Sequence, residues 1–184
     1  MAESAEEVRL ETDRLCLRPW RTSDHDALHR IFSDEAMFRY SHRGPMSCEE
    51  SWSLLLRQIG HWSAFGHGVF ALVDKASGEL VGEAGPGAFR RRLGPDFDPF
   101  PEMTWSIVPD AQGKGYAAEA AAAALAWVGG QMRVRRTVCL IHTGNEPSLA
   151  VADRLGYRPL RDLAYRGYPA RLFERIDGAT EAPN

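Results

Sequence analysis

MTWSIVPDAQGKGYAAEAAAAALA, residues 103–126, decides how this chain folds. Residues 103–108 read as a strand that ends at Val108. A glycine-rich turn follows at once, Gln112-Gly113-Lys114-Gly115, and an alanine-dominated helix begins near Tyr116. Alanine is the strongest helix former, which favours a helix over this run. Strand, glycine turn and helix start in that order make an anion site. The helix start offers unpaired N–H groups and the positive end of a dipole. Glycine lets the backbone come close to a ligand and take positive φ without steric cost. The stretch therefore predicts a ligand that carries phosphates.

Outward from it, the chain alternates strands and helices without a repeat. Leu15-Cys16-Leu17-Arg18 reads as a first strand, and Thr22-Ser23-Asp24 opens a short helix through Leu28 and Ile31. Ser47-Cys48-Glu49-Glu50 is a capping-box pattern. Its helix carries Trp52, Leu55, Leu56, Ile59 and Trp62 at helical spacing, with both tryptophans expected in the core. Residues 68–73 and 80–84 read as two strands joined by the hairpin turn DKASGE. Residues 85–101, with four prolines and three glycines, read as a long loop, of a length that often binds ligands. After the alanine helix come a strand at 137–141 and a helix at 145–155 closed by Gly156. Two final strands, 160–164 and 171–176, flank a turn expected at Tyr168-Pro169. The order predicts one mixed α/β domain over residues 10–177, around a largely antiparallel sheet of about seven strands and about four helices. Residues 1–9 and 178–184 read as loose ends.

Composition narrows the function. The 184 residues are 44% hydrophobic and 26% charged, as in a globular chain that buries a core. A net charge of −3 points to neither nucleic acid nor an anionic membrane. No apolar run reaches the ~18 residues of a membrane span. The three cysteines, Cys16, Cys48 and Cys139, form no C-x-x-C, which fits reduced thiols in a cytoplasm. The six histidines are scattered along the chain, and no metal is expected.

Two phosphate motifs fail on the turn. A Walker A loop needs G-x-x-x-x-G-K-[ST], but Lys114 precedes Gly115 and the first glycine position is Val108. Gly113-x-Gly115-x-x-Ala118 matches a Rossmann fingerprint, but the acid expected about 20 residues on is missing and His142 stands there. A third pattern, [QR]-x-x-G-x-[GA], is met by Gln112-Gly113-Lys114-Gly115-Tyr116-Ala117. With it stand Thr12-Asp13-Arg14-Leu15-x-Leu17-Arg18, Glu102 through Pro109, and Asn145-x-x-Ser148…Leu155-Gly156-Tyr157. On these four motifs, in order from about Leu10 to Ile176, the chain resembles the GNAT superfamily of acetyl-CoA-dependent N-acetyltransferases. It looks most like the RimJ/RimL type, named for ribosomal-protein N-terminal acetyltransferases.

The resemblance implies a site. Coenzyme A pyrophosphate is expected on the amides of Gln112, Gly113, Lys114, Gly115, Tyr116 and Ala117. The pantetheine arm is expected to pair with the backbone at Ile107 and Val108 as an added strand. An N–H near Val108 is expected to polarise the acetyl carbonyl. Glu102 matches the family's acid and is expected to act as base or ammonium anchor, with Glu83 on the neighbouring strand as the alternative. A free glutamate titrates near 4.3, so burial has to raise it for base work. Many members place a tyrosine general acid where this chain has Ala152. Ser148 is the residue expected to assist the leaving thiolate, with helix capping as its competing role. Asn145 is expected to contact the pantetheine amide, again with capping as the competitor. Cys139, in mid-strand, reads as core, so no covalent enzyme intermediate is implied.

The acceptor is an amine, a protein N-terminus or a small molecule, expected to face the first two helices, the 85–101 loop and the last hairpin near Tyr165 and Tyr168. Around it, His42 is a candidate lining residue. Arg90-Arg91-Arg92 reads as a solvated run, or with Asp96 and Asp98 as the wall of an acceptor loop. The expected protein is a cytoplasmic monomer or homodimer. The alternative is a non-catalytic acyl-CoA-binding module on the same fold, which the absent tyrosine favours.

Overall fold

A computed structural model of the protein describes residues 8–41 and 43–177. His42 and the residues at the two ends of the chain, 1–7 and 178–184, lie outside them. The strands are β1 (Leu10–Glu11), β2 (Leu15–Arg18), β3 (Phe70–Asp74), β4 (Leu80–Gly87), β5 (Glu102–Ile107), β6 (Arg136–His142), β7 (Arg158–Tyr165) and β8 (Tyr168–Ile176). The helices are α1 (His25–Phe32), α2 (Cys48–Phe65), α3 (Tyr116–Gln131) and α4 (Glu146–Arg154). The strands form one sheet in the order β1-β2-β3-β4-β5-β6-β8-β7. Every neighbouring pair is antiparallel except β5–β6, which is parallel. The eighth strand beyond the expected seven is the two-residue β1. Just ahead of it, Val8 is buried in the core although a loose end was expected there.

Local chemistry sets the element ends. Ser47 Oγ accepts from the Glu50 amide at 3.2 Å and the Glu50 carboxylate accepts from the Ser47 amide at 2.8 Å, so α2 starts on a closed capping box. The hairpin between β3 and β4 is tied by Asp74, whose Oδ1 accepts from the amides of Ala76 and Ser77. Its other oxygen accepts from the Tyr116 hydroxyl, which fastens the start of α3 to this turn.

Two helical layers cover the sheet. On one face, α3 crosses β4 and β5 and buries Ala118, Ala120, Ala121, Ala124, Leu125 and Val128. Small side chains let the helix axis come close to the strands. On the other, α1 and α2 bury Leu28, Ile31, Phe32, Leu54 and Leu55 over Ala71. The α2 stripe is rotated from the expected one. Ser51, Leu54, Leu55, Gln58 and Trp62 are buried, whereas Trp52 and Leu56 are exposed. Two buried polar residues displace two apolar ones from that face because Ser51 bonds the α1 histidines and Gln58 bonds Glu83. Trp62 fits expectation and stacks edge-on against Phe70.

Two loop readings are corrected. Gly85, Pro86 and Gly87 continue β4, opposite Thr104, Met103 and Glu102, instead of opening the loop. Pro86 is tolerated there despite its missing N–H, and the long loop starts only at Ala88. The last hairpin turns at Arg166-Gly167, so Tyr168 and Pro169 lie within β8, opposite Tyr165 and Ala164. Among the described residues no helix is long and apolar enough to cross a membrane.

The long loop is pinned rather than free. Phe97 is fully buried with Val138 and Leu172. Arg161 holds the Asp96 carboxylate at 3.0 Å and also donates to the Leu93 carbonyl. Phe97→Ala is therefore expected to cost about 3–5 kcal/mol of folding stability, the range for truncating a buried phenylalanine. A lower urea midpoint at unchanged slope is the readout, and an unchanged midpoint would show that the loop is not anchored there.

Candidate active site

The site begins where β5 and β6 separate. Their only paired position is Glu102 opposite Val138, supported by the Val138 amide donating to the Pro101 carbonyl at 3.1 Å. Beyond it the two strands part toward their C-terminal ends, where α3 and α4 begin. In open sheets with parallel neighbours this end is where ligands enter. A cavity of about 150 Å³ fills the wedge. Glu102, Thr104 and Trp105 line it from β5, Cys139 and His142 from β6, and Asn145 and Ser148 from the start of α4. Tyr40, Arg91 and Tyr168 close it from the loops and β8.

Strand geometry decides which amides face the wedge. An N–H near Val108 was expected to face a substrate carbonyl; that of Val108 itself donates to the Val81 carbonyl at 2.9 Å. Backbone groups alternate between the two edges of a strand, so those of Trp105 and Ile107 look toward β6. Among the described residues no strand pairs with that edge past Glu102. The amide nearest the end of β5 that faces the wedge is thus that of Ile107.

The glycine turn is built as its sequence suggested. Gly113 and Gly115 sit at φ 73° and 83°, the left-handed region that costs any other L-residue about 1–2 kcal/mol. Among the described residues the N–H groups of Gly113, Gly115, Tyr116 and Ala117 meet no backbone acceptor. Side chains do the bracing. Gln112 Nε2 donates to the Ile107 carbonyl at 2.9 Å, which ties the turn back to β5. Arg14 donates to the Lys114 carbonyl at 2.7 Å, pairs with Glu119 at 2.5 Å and lies over the Tyr116 ring. Lys114 itself is exposed.

Glu102 is 5% exposed, and Arg91 Nε donates to its Oε2 at 2.6 Å. Burial pushes the carboxyl up from its ordinary value, the Arg91 guanidinium pulls against that, and the net shift is upward. Arg91 also donates to the Tyr165 hydroxyl at 2.9 Å. Glu83 is buried too, with Gln58 Nε2 on its Oε2 at 3.1 Å, but does not line the cavity. It faces Ser106, and Glu102 faces Gly87, so the two carboxylates stand on the same sheet face about 13 Å apart along the strands.

At the α4 end, Asn145 Oδ1 accepts from the Ser148 amide at 3.2 Å, so Asn145 does cap the helix. The Ser148 hydroxyl has no partner among the described residues and borders the cavity. Ala152, at the usual tyrosine position, is fully buried in the core. Tyr157 offers no substitute, since its buried hydroxyl is bonded to Thr137 at 2.8 Å. Cys139 is 1% exposed and burial drives its thiol well up, away from the reactive thiolate. Tyr40 and His142 had no place in the expected site, and Arg91 entered it only as part of a possible acceptor-loop wall. His142 and Tyr168 stack at 5.4 Å, and Gly144 N–H donates to His142 Nδ1, which leaves the ring proton on Nε2. Among the described residues no group of three His, Cys, Asp or Glu side chains is placed to hold a metal.

A sequence model described as an acetyltransferase (GNAT) domain matches residues 14–158. A GnaT-family acetyltransferase from Bordetella pertussis is 38% identical, with a TM-score of 0.81 over 92% of this chain and 100% of its own. The N-acetyltransferase YnaD of Bacillus subtilis (strain 168) is 25% identical over 151 residues, 82% of this chain and 83% of its own. RimL, a ribosomal L7/L12 α-N-protein acetyltransferase solved with coenzyme A, superposes at a TM-score of 0.76 over 94% of this chain and 100% of its own. It is 19% identical, so that likeness is one of fold and does not single out the ribosomal type.

Glu83 gives a stability signature of its own. Burial pushes its carboxyl up to about 7 from the ordinary 4.5. Between those values the folded chain holds a proton that the unfolded chain releases, so stability falls as pH rises through this window and levels off above it. The fall is about 3 kcal/mol at ~1.4 kcal/mol per unit. Glu83→Gln is expected to remove it. Urea unfolding at about pH 5 and about pH 8 should show a smaller loss in the variant than in the wild type, and equal losses would refute the shift.

Proposed function

Because this chain belongs to the acetyltransferase (GNAT) family, we propose that it moves the acetyl group of acetyl-CoA to a primary amine by direct attack in a ternary complex. The wedge between β5 and β6 carries this reading. A bare strand edge opens beside two helix starts, and a buried carboxylate stands at its apex. Acetyl-CoA supplies the activated thioester. On this reading the amides of residues 113–117 hold its pyrophosphate, with the charge of Lys114 beside them. The edge of β5 at Trp105 and Ile107 pairs with the pantetheine arm, and the Ile107 N–H faces the acetyl oxygen. The side-chain N–H of Asn145, free while its oxygen caps α4, donates to a pantetheine carbonyl. Glu102 anchors the ammonium and takes its proton, and the raised carboxyl supports that role. The Ser148 hydroxyl donates to the departing thiolate. The inert, buried Cys139 supports direct attack over an acylated enzyme.

Acetyl-CoA at ~100 times its Kd is expected to stabilise the fold by about 2.7 kcal/mol. Glu102→Gln is expected to lower kcat/KM for an amine ~10²-fold or more, and Ser148→Ala about 10-fold. A steady-state assay of thiol release with a broad amine panel measures both. An unchanged rate in Glu102→Gln would remove Glu102 from the mechanism. Stabilisation by acetyl-CoA with no amine turned over would favour a binding module, the reading to which Ala152 lends weight.

A further inference from the structure

Arg91 is built into the cavity with more donors than the protein uses. A guanidinium carries five N–H groups. Among the described residues Arg91 spends one on Glu102 and one on the Tyr165 hydroxyl. The Phe89 and Tyr165 rings lie at 5.0 and 5.3 Å from its central carbon. Rings at that range cover the guanidinium and leave its in-plane donors to be met from the cavity side. Its side chain keeps 25% of its exposure and borders the cavity with Glu102.

The backbone is held so as to turn this one arginine inward. Arg90 and Arg92, its two neighbours, sit at φ 48° and 60°, where residues other than glycine are uncommon. Both are exposed while Arg91 is half-buried. Such backbone conformations persist only where the surroundings over-determine them, and they gather at functional sites. Here the buried Phe97 and the Arg161–Asp96 pair fix the loop.

We propose that the acceptor is an α-amino acid or a similar small amino-carboxylate, its carboxylate taken by the free donors of Arg91 and its ammonium by Glu102; this rests on the acetyl-transfer reading above. Glu102 and Arg91 stand side by side as one anion and one cation, the mirror of the charges within such a zwitterion. The acceptor then completes an alternating square of charges. An arginine fork suits a carboxylate by geometry as well as by charge. The Tyr165 hydroxyl, which accepts from Arg91, keeps its own proton to donate to the same carboxylate. A peptide N-terminus or a plain amine brings no α-carboxylate and leaves the Arg91 donors unmet.

The test compares kcat/KM for free α-amino acids, their carboxamides and the amines without the carboxyl group. The acids are expected to exceed both by ~10- to 100-fold, the worth of hydrogen bonds to a charged group. Arg91→Gln is expected to bring that ratio near one, and Arg91→Lys to restore part of it. The ratio is the readout because loss of Glu102's partner alone lowers all acceptors together. Carboxamides or amines turned over as well as the acids would overturn the inference and leave acetyl transfer standing. So would a ratio that survives Arg91→Gln. A wild type that acetylates nothing in the panel overturns both readings.

Discussion

One parted seam governs this molecule. β5 completes its pairing with β4 over six residues, and β6 completes its own with β8 over seven. Neither strand needs the other for its ladder, so the sheet is two antiparallel halves joined at Glu102 and Val138. Past that point each half twists on its own. The inner edge of β5 is left with backbone groups that must find water or a ligand, because an unpaired buried amide costs as much as a lost hydrogen bond. A coenzyme arm with amide groups of its own is the partner such an edge suits, and the fold supplies that edge without any dedicated side chain.

The glycine turn follows the same division of labour. Its backbone is kept free and its side chains are kept busy. Gln112 closes the turn onto Ile107, Arg14 grips the Lys114 carbonyl, and Tyr116 is fastened to Asp74 on the β3–β4 hairpin. The glycine-turn motif thus has a mechanical reading within this one chain. Gly113 and Gly115 give the turn its left-handed corners, Gln112 locks it, and the N–H groups that remain point outward from a helix start.

Much of this was written in local sequence. Ser47 with Glu50, Asn145 with Ser148, and the alanine run each declare an element by chemistry that acts within a few residues. What stayed hidden depends on register or on distant partners. Which amide faces the wedge is decided by the pairing of Val108 with Val81, and a shift of one residue exchanges the two edges. Pro86 reads as a breaker until a partner strand is known to carry it. Arg91 sits in a run of three arginines that composition reads as solvated, and only the left-handed backbone on either side separates it from Arg90 and Arg92. The expected role of Glu102 needed burial, which the sequence could state only as a condition.

The two buried glutamates show why position outranks proton affinity. Glu83 has an amide for its close partner and a carboxyl pushed up to about 7, the better number for a base near neutrality. It lies about 13 Å along the sheet from Glu102 and outside the cavity where the strands part. A base has to reach the proton it removes, so geometry is applied before pKa. Glu102 stands at the apex of the wedge, and Arg91 beside it favours the carboxylate over the acid while burial opposes this. Of the two, Glu102 is the carboxylate placed to meet a group that enters the cavity, and Glu83 is not.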